Sequence, residues 1–438
     1  MNDYLAWPFY TFEQRAIEDN EQWWQYCYVP APAVELITTV PQWTLLVGGA
    51  GTGKSVTLQA LQRAYADQIF FVNYPPTFWP GGLNTPHPQE ASHFPQMLSA
   101  AALAIRDYLA TNPEAGKKVT AFEIEFLQWL FTNYIGPRAF FRVSRYFSDE
   151  LVQAVQAEKK EDLLSQTTEN LMVQSQIDEL VCVVQAFGFS HLVFVADLAY
   201  PGTQAEKAGA ADLFGWLELT HHPGFAVITA VPDALLGDGI VLSRARGRAR
   251  VIRLQWTHES CRQVAERHIH LATEGAFCLA DLVDDATLAF GNRVVEEAYD
   301  AACPQGWVEF AETVLYLKKT QSLKRPFTKK EADLLMRTFF ARHVPLKIDA
   351  EAGAIWRGPK RIHLDEQPMA LVQLLFVRRG HPINWEDEGL RRLAGSKDNV
   401  YSIARRARLA IEPVPQKPVY LVNKRGEGGY WLENLMEL

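Results

Sequence analysis

The chain has little cysteine: five residues in 438, at Cys27, Cys182, Cys261, Cys278 and Cys303. No pair has C-x-x-C spacing, so neither a zinc site nor a disulfide framework is indicated, and a cytoplasmic protein with reduced thiols is expected. Long apolar runs are also missing. No stretch reaches the roughly 20 residues that a bilayer-crossing helix needs, so no membrane partner is expected. The opening residues Met1-Asn-Asp-Tyr-Leu5 contain an acid and no apolar block, which does not read as a secretory leader. Hydrophobic content of 48% and charged content of 21% are ordinary for a globular chain long enough for two or three domains.

Charge of one sign is not in large excess, but it is unevenly distributed. The net charge is −8. From Val344 onward there are 15 Lys and Arg against 12 Asp and Glu, which leaves 28 against 39 in the preceding part. A basic terminal module behind an acidic body points to a module that meets a polyanion.

What the sequence does contain is a phosphate loop. Gly48, Gly49, Ala50, Gly51, Thr52, Gly53, Lys54 and Ser55 fit Gly-x-x-x-x-Gly-Lys-[Ser/Thr]. An apolar strand, Trp43 to Val47, precedes them, and a helical pattern from Ser55 to Tyr65 follows. Glycines let backbone amides close on phosphate oxygens, and the helix N-terminus adds unpaired N–H groups and partial positive charge. Lys54 is expected to reach the β- and γ-phosphates and Ser55 to ligate Mg²⁺. The implied cofactors are ATP or another nucleoside triphosphate and Mg²⁺.

Further landmarks follow in order. The aromatic-rich first 42 residues read as core packing or as a cover for a nucleotide base. Gln68 to Asn73 reads as a second strand, and Tyr74 to Gly82 breaks regular structure with Pro and Gly. Residues 96–187 are mostly helical, longer than a βαβ crossover needs, and read as an insertion without an assigned role. His191-Leu-Val-Phe-Val-Ala-Asp197 then runs into one carboxylate. Alone this is a buried strand with an acid at its end; behind a P-loop it fits a Walker B strand whose acid orients the Mg²⁺ water shell. Leu198 and Ala199 follow where many such ATPases carry a second acid, so hydrolysis is expected to be slow or to borrow a base from Glu218 or a partner subunit. Gly224 to Thr229 is another apolar strand, expected to end at that threonine. Arg244, Arg246, Arg248 and Arg250 form either a solvated basic edge or the source of an arginine finger for a neighbouring subunit.

Arg250 to Arg267, a strand followed by a Thr-capped helix, is similar to the strand-to-lid junction of AAA+ and STAND ATPases. With the P-loop and Asp197, the resemblance to a STAND/AAA+-like NTPase core with a helical lid covers about residues 40–320. It implies that Thr229 is a sensor of the γ-phosphate and that Lys54, Asp197 and Thr229 are the catalytic set.

The last hundred residues differ in pattern. Pro345 to Leu364 alternates with turns at Ala352-Gly353 and Gly358-Pro359 and reads as a strand meander. Helices are expected at Asp365 to Gly380, Trp385 to Ala394 and Asn399 to Glu412, the third burying Val400, Ala404, Ala407 and Ile411. Val419 to Val422 and Gly429 to Leu432 read as a hairpin. This order, with the Glu412-Pro413 step and the Arg425-Gly426…Gly429-Tyr430 wing, resembles the OmpR-type winged helix over about residues 344–436. Ala404 and Ala407 are smaller than that family's usual residues, the wing is one residue longer, and no receiver domain precedes it. The resemblance implies that Lys397, Asn399, Ser402, Arg405, Arg406 and Arg408 face the DNA major groove, with Lys424 and Arg425 on the wing.

The expected fold is therefore α/β: a P-loop NTPase core with a helical insertion (1–254), a helical lid (255–325), and a linker helix leading into a winged helix (326–438). The expected function is an ATP-dependent switch that controls double-stranded DNA binding in transcription and assembles as a homo-oligomer on ATP in response to an unidentified protein signal. The alternative is a STAND signalling or defence scaffold whose winged helix is autoinhibitory or contacts protein; a third reading is an AAA+ initiator or transposition ATPase.

Overall fold

The computed structural model describes residues 8–9, 20–32, 42–79, 93–157, 169–198, 202–215, 222–237, 239–320, 326–328, 331–349, 353–379, 381–423 and 429–436. The chain folds as two compact units. Lys424, Arg425 and Glu218 lie outside the described residues.

The first unit comprises Pro30–Gly49 and Gly53–Gln255. Its centre is a five-stranded parallel sheet of β1 (Thr44–Gly48), β2 (Ile69–Asn73), β3 (His191–Asp197), β4 (Phe225–Pro232) and β5 (Arg250–Arg253), in the order β2-β3-β4-β1-β5. β1 and β4 are buried along their whole length, as central strands of a sheet covered on both faces must be. Helices flank the sheet, and the fold is mixed α/β. β4 lies between β1 and β3, so the loop-bearing strand and the strand ending in Asp197 are separated by an additional strand.

The segment between β2 and β3 contains helices His93–Thr111, Ala121–Tyr134, Pro137–Val143, Asp149–Ala157 and Glu169–Phe187. Thr120 caps the second of these with a reciprocal capping box to Glu123. Leu98, Ile105, Leu127, Phe131 and Val183 join the core of the sheet, so the inserted helices are part of this unit's packing.

The second unit comprises Met1–Val29, Ala50–Thr52 and Trp256–Leu438. Helices His258–Ala272, Asp285–Tyr299, Pro304–Thr320 and Ala332–His343 lead into the meander β6 (Leu346–Asp349), β7 (Ala354–Arg357) and β8 (Lys360–Ile362). Helices Glu366–Val377, Glu388–Ala394 and Lys397–Ile411 follow, then the hairpin β9 (Leu421–Asn423) and β10 (Tyr430–Leu432). β11 (Leu435–Met436) returns to pair in parallel with β6, and Ile383 bridges to Tyr430. One apolar cluster runs from Cys261 to Leu432, so the helices read as a lid and the C-terminal module share a core. Arg357, 2% exposed, ties them: it donates to the Ile411 carbonyl at 3.2 Å and pairs with Glu297. Val400, Ala404, Ala407 and Ile411 are buried as expected, and Ile403 joins them on the same side.

Candidate nucleotide site

The loop from Gly48 to Ser55 turns back on itself because two of its glycines take left-handed backbone angles, φ +69° at Gly51 and +83° at Gly53. At Gly51 a Cβ would also come within 2.8 Å of the Gln305 side chain, so glycine is required there for space as well as for angle. The Gln305 amide donates to the Gly51 carbonyl at 3.3 Å, and the Trp256 indole donates to the Thr52 carbonyl at 2.9 Å.

Lys54 is buried and its ammonium donates to the carbonyl oxygens of Gly48 (3.0 Å) and Gly49 (2.9 Å). Burial lowers its pKa, opposed by the nearby carboxylates of Asp197 and Asp233. The Ser55 hydroxyl hydrogen-bonds to the Asp197 carboxylate, whose own pKa is raised by burial. The loop, the lysine and the hydroxyl–carboxylate pair fit a nucleoside triphosphate with Mg²⁺. Backbone amides and Lys54 would hold the phosphates, and Ser55 with Asp197 would hold the cation. The cation would neutralise phosphate charge when bound. Among the described residues no group of three or more His, Cys, Asp or Glu side chains forms a metal cage.

Thr229 does not occupy the position expected of it. β4 continues to Pro232, and Thr229 pairs with Leu45, three residues before Gly48, or about 10 Å deeper along the sheet. Strand alternation also turns it to the face opposite Asp197, which pairs with Ala230. Its hydroxyl is fully buried and unpartnered among the described residues. Instead, the end of β4 brings Asp233 near Lys54. The sequence signal for Asp233 was the strand's true end, which the polar Thr229 obscured.

No family model matches the chain, and no curated protein matches it. Solved structures to which it is similar include the Thermotoga maritima RuvB Holliday junction branch migration motor, 13% identical, with 96% of this chain and 93% of that chain covered at a TM-score of 0.30. Another is the Aeropyrum pernix Orc1 protein in complex with DNA, 11% identical, covering 92% of this chain and 86% of that chain at 0.35. A third is Cdc6p from Pyrobaculum aerophilum, 13% identical, covering 99% and 93% at 0.32. The P-loop character of this chain rests on the loop, the strand order and the Ser55–Asp197 pair.

The C-terminal candidates divide into two sets. Lys397, Ser402 and Arg405 are exposed on one side of helix Lys397–Ile411, beside Tyr401 and Leu409. The others are occupied. Asn399 donates from its side chain to the Ala394 carbonyl at 2.7 Å, closing the preceding helix. Arg406 donates to Gln367 at 2.7 Å. Arg408 donates to the Leu421 carbonyl at 2.9 Å and lies 5.7 Å from the Tyr430 ring centre, so it fastens the hairpin. Helical spacing places Arg406 and Arg408 outward, and the winged-helix resemblance implies the same of Asn399; the neighbouring helices and the hairpin claim all three. Arg244, Arg246, Arg248 and Arg250 are all exposed. Among the described residues no helix is long and apolar enough to cross a membrane.

Proposed function

We propose that the chain is an ATP-binding, slowly hydrolysing switch of the STAND/AAA+ type that controls contact of its C-terminal winged helix with double-stranded DNA. The observation that carries this reading is a continuous path within the second unit from the phosphate loop to the candidate DNA helix. Gln305 holds Gly51 and opens helix Pro304–Thr320. Glu312 of that helix pairs with Arg342 and His343 of the next. That helix ends at Val344, whose carbonyl accepts from Tyr420 at 2.5 Å. Leu421 then holds Arg408 of helix Lys397–Ile411. A change at the loop on nucleotide binding therefore has packed, hydrogen-bonded elements to act through.

In this reading Lys54 and the loop amides bind the triphosphate, Ser55 and Asp197 hold Mg²⁺, and Asp233 faces the lysine. Lys397, Ser402 and Arg405 meet DNA, with Lys424 and Arg425 as wing contacts. One of the exposed arginines between Arg244 and Arg250 serves a neighbouring copy in an ATP-dependent oligomer. The test is anisotropy titration of labelled duplex DNA with and without Mg-ATP, over a salt series. A nucleotide-dependent affinity with a negative salt slope supports the reading; no binding in either state removes it.

A second reading, a STAND signalling scaffold whose helix meets protein, has its own observation. Tyr401 and Leu409 are 53% and 61% exposed on the same helix, an apolar pair that a protein partner would cover. ATP-dependent assembly in size-exclusion chromatography without any DNA affinity favours it.

A further inference from the structure

The helices inserted between β2 and β3 take no part in the proposed switch, yet one of their faces has a distinct chemistry. In Pro137–Val143 and the turn Ser144–Tyr146 that continues it, Phe140 and Val143 are buried, whereas Arg138, Phe141, Arg142 and Arg145 are exposed. Those four positions have the i, i+3, i+4, i+7 spacing of a single helical face. Phe141 is 81% exposed, the highest value among the described large hydrophobic residues. Arg138 and Arg142 have no hydrogen-bond or ion-pair partner among the described residues. Arg145 lies 4.8 Å from the Tyr146 ring centre and donates to its hydroxyl at 2.5 Å.

A second segment packs against the turn that carries Arg145. Gly116 passes so close to Tyr146 that a Cβ would come 2.5 Å from its carbonyl oxygen, which brings Lys117 and Lys118 beside the turn. Both are exposed, Lys117 paired with Glu114 at 2.7 Å. The nearest acids in sequence on the other side, Asp149 and Glu150, open the next helix.

We propose that this face binds single-stranded nucleic acid, with the arginines on backbone phosphates and a base stacked on Phe141. An exposed ring flanked by guanidinium groups is the pairing that single strands use, since their bases offer free π-faces while their backbone offers charge. A duplex keeps its base faces in the stack and would leave Phe141 unused. An acidic protein segment would satisfy the arginines and leave the ring in water.

The test uses the full chain with a fluorescein-labelled oligo-dT of about 20 nucleotides, read by anisotropy between about 50 and 200 mM salt. Saturable, salt-sensitive binding is expected. It should weaken at least about tenfold in Arg138→Glu/Arg142→Glu and at least about fivefold in Phe141→Ala, and persist in Phe141→Trp, because stacking tolerates any large ring. Mg-ATP affinity measured on the same variants reports that the unit remains folded. Arg405→Glu should leave oligo-dT binding intact, which separates this face from the C-terminal helix. Equal affinity across the Arg138, Phe141 and Arg142 variants overturns the proposal. So does loss of oligo-dT binding in Arg405→Glu alone, or binding of phosphatidylserine vesicles by a wild-type chain that ignores oligo-dT.

Discussion

The backbone amide of Gln305 donates to the carbonyl of Gly51 at 3.3 Å, and Gly51 holds a left-handed φ of +69° directly beneath that side chain. Gly53 is equally left-handed, but a Cβ there would meet nothing within 4 Å. Alanine at either site incurs the conformational cost of about 1–2 kcal/mol. Gly51→Ala adds a clash with Gln305, so it should lower the urea midpoint clearly more than Gly53→Ala. Equal losses would mean that the Gln305 contact is not made in solution.

Lys54 is buried and, among the described residues, donates to the carbonyls of its own loop, with burial lowering its pKa. Lys54→Met removes a desolvated cation while keeping the chain of methylenes. We expect no loss of melting temperature without nucleotide, and no thermal shift with Mg-ATP where the wild type is stabilised by ligand binding. Calorimetry should give a flat trace for this variant.

Asp197→Asn keeps the shape of the side chain and removes the charge beside Ser55. Mg²⁺ dependence is the readout: the variant's ATP affinity should respond at least about tenfold less to Mg²⁺ than the wild type's, as expected if the carboxylate takes part in holding the cation. Asp233→Asn, one strand over, should change affinity without changing Mg²⁺ dependence.

His93 is buried between the Tyr74 hydroxyl (2.9 Å) and the Gly209 carbonyl (2.8 Å), and burial lowers its pKa from 6.5 to about 4. The folded state keeps it neutral where the unfolded chain takes up a proton. Stability from this group is therefore whole well above pH 6.5 and falls as pH drops toward about 4, by about 1.5 kcal/mol between pH 6.5 and pH 5. Urea midpoints at the two pH values should separate less in His93→Gln than in the wild type.

Arg405 and Arg408 are three residues apart and should behave oppositely. Arg408 is bonded to Leu421 and packed on Tyr430, so Arg408→Ala should cost about 1–2 kcal/mol of stability. Arg405 is exposed, so Arg405→Glu should leave melting within about 2 °C of the wild type while removing any duplex DNA affinity.

By itself the sequence determined what short-range chemistry controls. Glycine at Gly51 and Gly53, the apolar strand before them and the helix after them are specified by local conformational preference and by alternation, so the phosphate loop and its strand could be read directly. The same holds for β3 and its terminal Asp197, and for the buried side of helix Lys397–Ile411. Tertiary structure alone decided what depends on register and on neighbours distant in the chain. Strand pairing put Thr229 beside Leu45 and left Asp233 facing Lys54, because β4 ran past the polar residue that looked like its end. Packing turned Asn399, Arg406 and Arg408 from free surface into fastenings, and burying Arg357 between Glu297 and Ile411 joined two segments whose sequences read as separate. A helical pattern states which side of a helix is apolar; which element comes to rest against its polar side is a long-range outcome that no local pattern encodes.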